Sequence, residues 1–258
     1  DHLLDLRAES GGAGALMAAD GIVDAPRLRA ELLALGGTVP LTTIYDGLLA
    51  LDGATRDVAR YLLAEGRSEL LSAEEVAETR ASLYGLGEQV TEFLEGWESE
   101  HLAERTAAFV EKGIPPELAR VVAGTPLADR ALNIVRLVSR TDRPLVEVAR
   151  AYYRLGAESG ISWVFQNLAR VRAEDSWDRM VLTDLRSALL SLQRGLTELA
   201  MRNAEDGVDA VEAVGVFLAA HEEAIRRVHA LQPAAEVAPS ASALTVVTQA
   251  LERLRPDD

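Results

Sequence analysis

The chain has 258 residues, 48% of them hydrophobic and only 5% aromatic, with 26 Lys plus Arg against 41 Asp plus Glu for a net charge of −15. That length builds one large or two small domains, and the negative field works against non-specific nucleic-acid binding. With no cysteine, disulfides, thiolate nucleophiles and Cys-ligated zinc or iron–sulfur sites are excluded. No apolar run is long enough to span a bilayer and no secretory signal opens the chain, so a cytoplasmic protein that avoids membranes and nucleic acid is expected.

His2 to Glu9 reads as helical, followed by a glycine-rich break at Gly11, Gly12 and Gly14. Asp24-Ala-Pro26 looks like a helix N-cap with an early proline, leading a short helix over Leu28–Leu35 that Gly36-Gly37 stops. Thr38-Val39-Pro40 then opens a longer helix to about Leu63. Ser72 with Glu75 has capping-box spacing, Tyr84-Gly85-Leu86-Gly87 reads as a corner, and Val90, Phe93, Leu94 and Trp97 form a stripe. Further helices are expected at 98–111, 116–123, 127–139, 143–157, 161–171, 176–202 and 208–230. Residues 233–242, rich in Pro, Ala and Ser, read as a linker. An amphipathic helix over 243–258, carrying Leu244, Val247, Leu251 and Leu254, closes the chain. No strand-like alternation competes, so the expectation is an all-α multi-helix bundle over 1–232, without a sheet.

Leu182, Leu185, Leu189, Leu192, Leu196 and Leu199 recur at alternating spacings of three and four, the seam of a closely packed helix. Offset by 141 residues, Leu41, Ile44, Leu48, Leu51, Thr55 and Val58 repeat it. A helical unit duplicated over about 24–65 and 143–202, with helices 67–139 between, is one reading; chance likeness between two Leu/Ala helices is the other. The seams could pack within the chain or on a partner.

The chemistry-bearing motifs are weak. Gly12-Ala-Gly14 and Gly85-Leu-Gly87 lack the third glycine and the preceding strand of a dinucleotide loop. Glu98 and His101 form one Glu-x-x-His pair where a di-iron bundle needs two. His221 and His229 lie eight residues apart, about 12 Å along a helix, too far to share a metal. No Gly-x-Ser-x-Gly elbow is present; Ser159-Gly160-Ile161-Ser162 reads as a helix junction. Tyr152, Tyr153 and Trp163 read as core anchors. Lys112 is the only lysine, and just before Gly113 it suits the C-terminal end of a helix dipole. Between Arg67 and Lys112 eleven glutamates face four basic residues, the composition of a solvated helical face. No catalytic, cofactor-binding or metal-binding residue is assigned.

One stretch is distinctive. Gly113-Ile-Pro-Pro116 opens a short helix, an apolar helix with Ala131, Ile134, Val135 and Val138 follows, and Thr141-Asp-Arg-Pro144 breaks it. VEVARAYYRLG and then Gly160-Ile161-Ser162-Trp163 complete the order. This resembles the C-terminal helical region of the large bacterial NAD-specific glutamate dehydrogenases. There a "G-(V/I)-P-x-x-L-A" corner precedes an "ALDIV"-like helix, a "TGR-x-VEEVARVYFxLGxxLGLDWL"-like helix and a "DxWxxLARxxLRDDLYxLQRxLT"-like helix. The likeness is best from Gly113 to Leu199 and extends over Leu28 to Leu63. It departs at Asp142, where the family carries Gly before Arg, and at Arg186-Ser187, where the family has Asp-Asp.

The resemblance implies that the substrate lysines and Rossmann glycines belong to a central part of a longer polypeptide, with NAD bound there and no cofactor in this segment. It implies an oxidoreductase that converts L-glutamate to 2-oxoglutarate and ammonium. This region would be a non-catalytic helical portion that packs on the dehydrogenase domains and supports a homo-oligomer. Asp1 in place of Met is what a piece of something longer would show. The other reading is a free-standing helical scaffold or effector-binding module without enzymatic activity.

Overall fold

A computed structural model describes residues 12–64, 73–74, 76–81, 94, 97–173, 175–205, 207–237 and 239–255. The helices are α1 Gly12–Val23, α2 Ala25–Ala34, α3 Leu41–Ala64, α4 Trp97–Glu111 and α5 Pro116–Gly124. A 3₁₀ turn, Thr125–Leu127, leads into α6 Ala128–Thr141. Then come α7 Leu145–Ser159, α8 Ile161–Leu168, α9 Ser176–Arg202, α10 Ala210–Ala220, α11 Glu222–Val237 and α12 Ala241–Glu252. Among the described residues there is no strand, only an isolated bridge between Gly36 and Val39 in the α2–α3 turn. The chain is all-α.

The chain divides into two compact units, one of residues 1–91 with 99–135 and the other of residues 92–98 with 136–258. In the first, α3 is the axis, and α1, α2, α5 and the 3₁₀ turn pack along it. Its buried side chains include Ile44, Leu51 and Val58 of α3, together with Ile22, Leu28, Leu32 and Val122 of the helices around it. In the second unit α9 is the axis, contacted by α7, α8, α10 and α12. Leu185, Leu189, Leu192 and Leu196 are buried there with Tyr152, Leu155, Ile161 and Val214. The duplication suggested by the two seams stays a likeness of sequence.

Helix ends carry identifiable chemistry. Asp175 caps α9, its carboxylate accepting from the Asp178 N–H at 2.9 Å. Asp209 caps α10 through the Glu212 N–H at 2.9 Å, and Ser240 caps α12 through the Ala243 N–H at 3.2 Å. Each side chain satisfies a donor that the first helical turn leaves unpaired. At the end of α4, Gly113 takes φ +96°, its N–H bonding Val110 O while the Ile114 N–H reaches back to Phe109 O. Such a left-handed closure is glycine's speciality. Pro115 and Pro116 then start α5, where a missing N–H costs nothing.

Four local expectations change. The glycine-rich segment is helical from Gly12, because Ala15, Leu16, Ala18 and Ala19 are buried and packing outweighs the entropic cost of Gly12 and Gly14. Asp24 is the N-cap residue of α2 with Pro26 just inside the helix, as expected, but its side chain makes no capping hydrogen bond; it sits at φ 55° and turns its carboxylate to Arg27 and Arg80. The helix expected at 208–230 breaks at His221, whose Nδ1 lies 2.8 Å from Phe217 O while its ring stacks on Phe217 at 4.1 Å. Residues 233–237, assigned to a linker, continue α11 through Pro233 to Val237. The lost N–H of Pro233 is outweighed there by burial of Ala235. The expected helix at 2–9, the Ser72–Glu75 cap, the corner at 84–87, and Val90 and Phe93 of the stripe lie outside the described residues.

Candidate functional site

The residues first considered for chemistry do not assemble a reactive centre. Gly14 lies inside α1, and Gly85 and Gly87 lie outside the described residues. Glu98 and Asp129 are buried, yet among the described residues no group of three or more His, Asp or Glu comes together as a metal site would require. His221 ends α10 and His229 sits within α11. His101 is held below the usual imidazole range, first by burial, then by the Arg105 and Arg130 guanidinium groups, with Glu104 opposing. Burial also lowers the Arg105 guanidinium from its ordinary value. Lys112 is half-exposed and sits 3.7 Å from the Asp46 carboxylate. No described helix is long and apolar enough to cross a membrane.

What the second unit does build is a set of interlocking contacts around α7, the helix of the VEVARAYYRLG motif. Glu147 Oε1 accepts from the Ala210 N–H at the start of α10 and from Arg143 Nη1 at 2.8 Å. Arg143 Nη1 also donates to Val208 O at 2.8 Å, and Arg154 Nη1 donates to Val211 O at 3.1 Å. Glu147 and Arg154 of α7, with Arg143 just before it, therefore bond main-chain groups at the entry to α10, among them the Ala210 N–H, a donor that the first turn of a helix leaves without an intrahelical partner. Gly215 makes room for the Arg154 guanidinium, which a Cβ would meet at 3.2 Å.

On its other face α7 meets α9. Gln193 is buried and donates from Nε2 to Tyr152 O at 2.9 Å. This backbone carbonyl is reachable because Gly156, one turn on, has no side chain; a Cβ there would fall inside the contact distance of the Gln193 amide. Glu198 near the end of α9 pairs with Arg140 of α6 at 3.0 Å and with Arg202. At the α7–α8 junction Gly160 takes φ +92°, and Gln232 of α11 would lie 2.6 Å from a Cβ at this position. Ser159 and Ser162 beside it are buried, with the Ile161 N–H directed to Ser159 Oγ at 3.5 Å.

The seam residues distribute unevenly. Ile44, Leu51 and Val58 on α3 are buried, Leu48 is half-buried and Leu41 is exposed. On α9, Leu185, Leu189, Leu192 and Leu196 are buried, whereas Leu182 and Leu199 at the two ends are half-buried. Tyr152 is fully buried with Tyr153 edge-on to it at 5.7 Å, and Trp163 is half-buried. Sequence reasoning missed Glu147, Arg154 and Gln193. Their partners are main-chain groups some 40 to 65 positions away, which no local pattern announces. Asp209 followed by Glu212 was a legible cap.

A Gly-Ile-Pro-Pro corner, the α7 helix locked at both faces and a long α9 axis occupy the stretch that carried the family likeness. Residues 12–253 match the family described as glutamate dehydrogenase, C-terminal. The chain belongs to that family. It is 32% identical over 190 residues to the NAD-specific glutamate dehydrogenase of Pseudomonas aeruginosa, covering 73% of this chain and 12% of that protein. It is 27% identical over 197 residues to the NAD-specific glutamate dehydrogenase of Halomonas elongata, covering 76% of this chain and 12% of that protein. The chain thus spans about an eighth of the length of these relatives. Asp142, where the family likeness carries glycine, adopts φ 52° between α6 and Pro144, so the family's Gly answers a left-handed backbone that Asp tolerates at some cost.

Proposed function

We propose that this chain is the C-terminal helical portion of an NAD-specific glutamate dehydrogenase and that it supports the enzyme rather than transferring hydride itself. The whole enzyme would oxidise L-glutamate with NAD⁺ and water to 2-oxoglutarate, ammonium, NADH and a proton. The observation that carries the reading is the family match over residues 12–253, together with much longer relatives that bear this name and of which the match covers 12%. The chemistry of the described residues agrees: the only lysine, Lys112, is on the surface beside Asp46, not in an apolar cleft where a substrate-binding lysine would be tuned. Packing on the dehydrogenase domains, support of a homo-oligomer and a cytoplasmic location belong to the same proposal.

The test is glutamate-dependent NADH formation, followed by its absorbance, for the longer polypeptide and for this chain alone. Turnover is expected for the former and none for the latter. Hydride transfer by the purified 258-residue chain would overturn the division of labour, and a longer polypeptide inactive with every amino acid tried would overturn the enzyme assignment.

A further inference from the structure

The helix α3 carries apolar residues on two sides. Ile44, Leu51 and Val58 fill the core of the first unit, while Leu41, Tyr45 and Leu49 stand 66%, 64% and 68% exposed. Their spacing of four puts them on three successive turns of one face, about 12 Å of helix. Leu33 of α2, 60% exposed, adds to the same side of the hairpin. Arg29 pairs with Asp52 at 2.8 Å, so the residues one turn onward in α2 and one turn back in α3 are Leu33 and Leu49. Single exposed apolar side chains are ordinary. Three large ones in register on one helix face, with a fourth on the neighbouring helix, form the kind of apolar patch that marks an interaction surface.

The charges around the row are already matched within the unit. Asp46 lies 3.7 Å from Lys112, and Arg29 bridges Asp52 at 2.8 Å and Asp20 at 3.4 Å. Removing the row from water would therefore leave each of these named charges with a partner. Tyr45 adds a hydroxyl that a covering surface must meet with an acceptor.

Two features decide between coverings. These 258 residues carry a net charge of −15, which opposes two copies of this region meeting face to face through the α3 row. In the relatives this region is about 12% of one polypeptide, so the remaining length is tethered to it at a local concentration in about the millimolar range that a separate molecule does not reach. We propose that Leu41, Tyr45 and Leu49, with Leu33 at their edge, form the docking face for an apolar surface of a preceding part of the same polypeptide. The proposal rests on the longer-chain reading above and adds the face by which the helical region is held.

The experiment places a photo-reactive Tyr45→p-benzoylphenylalanine substitution, close to tyrosine in shape, in the full-length protein. Irradiation followed by proteolysis and mass spectrometry is expected to join position 45 to a peptide that precedes this region, at the mass of a single chain. Adding Leu49→Lys should lower the yield about tenfold, since a lysine pressed against an apolar surface is costly. A cross-linked species of doubled mass, a cross-link confined to the 258-residue region, no cross-link, or a yield indifferent to Leu49→Lys would each overturn the docking face. Failure of the longer-chain reading would show separately, as a gene that encodes no preceding part or as a full-length protein without glutamate-dependent NADH formation.

Discussion

The helices α3 and α9 are each the axis of a unit and carry nearly the same leucine seam, yet they dispose of their apolar residues differently. On α9 the seam is buried over its four central members, and only its ends, Leu182 and Leu199, are half-open. On α3 the seam begins with an exposed Leu41, and a second row through Tyr45 and Leu49 faces solvent. The difference lies in what surrounds each helix. The α9 axis has neighbours on several sides, and polar side chains such as Gln193 and Glu198 are drawn in with them. The α3 axis is covered by α1, α2, α5 and the 3₁₀ turn, and has more apolar surface than those neighbours take up. A seam in sequence announces that a helix packs; it does not announce how much of the helix is packed.

Truncation measures that difference most directly. Leu189 is fully buried on α9, and Leu189→Ala should cost about 2–5 kcal/mol from lost burial and the cavity left behind. Leu49→Ala on the open row of α3 should change stability by less than about 0.5 kcal/mol. Urea denaturation of the two variants beside the parent would show it. Equal losses would mean that the α3 row is already covered and that the two axes do not differ.

A second comparison concerns backbone approach. The α7–α9 crossing depends on Gly156, whose absent side chain lets Gln193 reach Tyr152 O. Gly156→Ala must displace a hydrogen-bonded amide, so a loss of about 1–3 kcal/mol is expected from overpacking and the broken bond. Gly53 of α3 has open space around a Cβ, and Gly53→Ala should stabilise its helix by roughly 0.5–1 kcal/mol. Opposite signs in thermal melts would sharpen the contrast; a neutral Gly156→Ala would show that Gln193 is free to move aside.

Much of this was legible in the sequence, and for definite reasons. The α9 bounds followed from the apolar-periodic run of Leu182 to Leu199, and the α4–α5 corner from Gly113-Ile-Pro-Pro, because periodicity and prolines act locally. The break at His221 was not legible, since it depends on an imidazole bonding the carbonyl one turn back and stacking on Phe217. Nor was α1, where burial of small residues against α3 overrides glycine. The helical family region was readable from its motif order. The contacts that lock α7, through Glu147, Arg154 and Gln193, were not, because each joins a side chain to a main-chain group far along the chain.

Asp142 offers a smaller, stabilising effect. Its φ of 52° is a conformation in which a Cβ crowds the backbone. Asp142→Gly should therefore raise stability by up to about 1 kcal/mol, set against glycine's greater freedom in the unfolded chain. A lowered melting temperature would mean that the Asp142 side chain contributes more than its backbone costs.

The smallest expected effect belongs to the first unit and depends on pH. His101 on α4 is kept below its ordinary value by burial and by Arg105 and Arg130, against the pull of Glu104. The unfolded chain, with an imidazole near its usual value of about 6.5, then binds more protons than the folded one in the interval between the two values. Stability consequently rises with pH across that interval; acidification from neutrality removes it, and the loss is complete once the pH is below the folded value. His101→Gln cannot take up the proton and should flatten this part of the profile. Urea melts from about pH 7.5 to about pH 5.5 would test it, with parent and variant converging at the upper end if the charge alone is responsible. Parallel profiles over the whole range would show that His101 titrates in the fold as it does in the unfolded chain, and burial and the neighbouring guanidinium groups would then have no measurable hold on it.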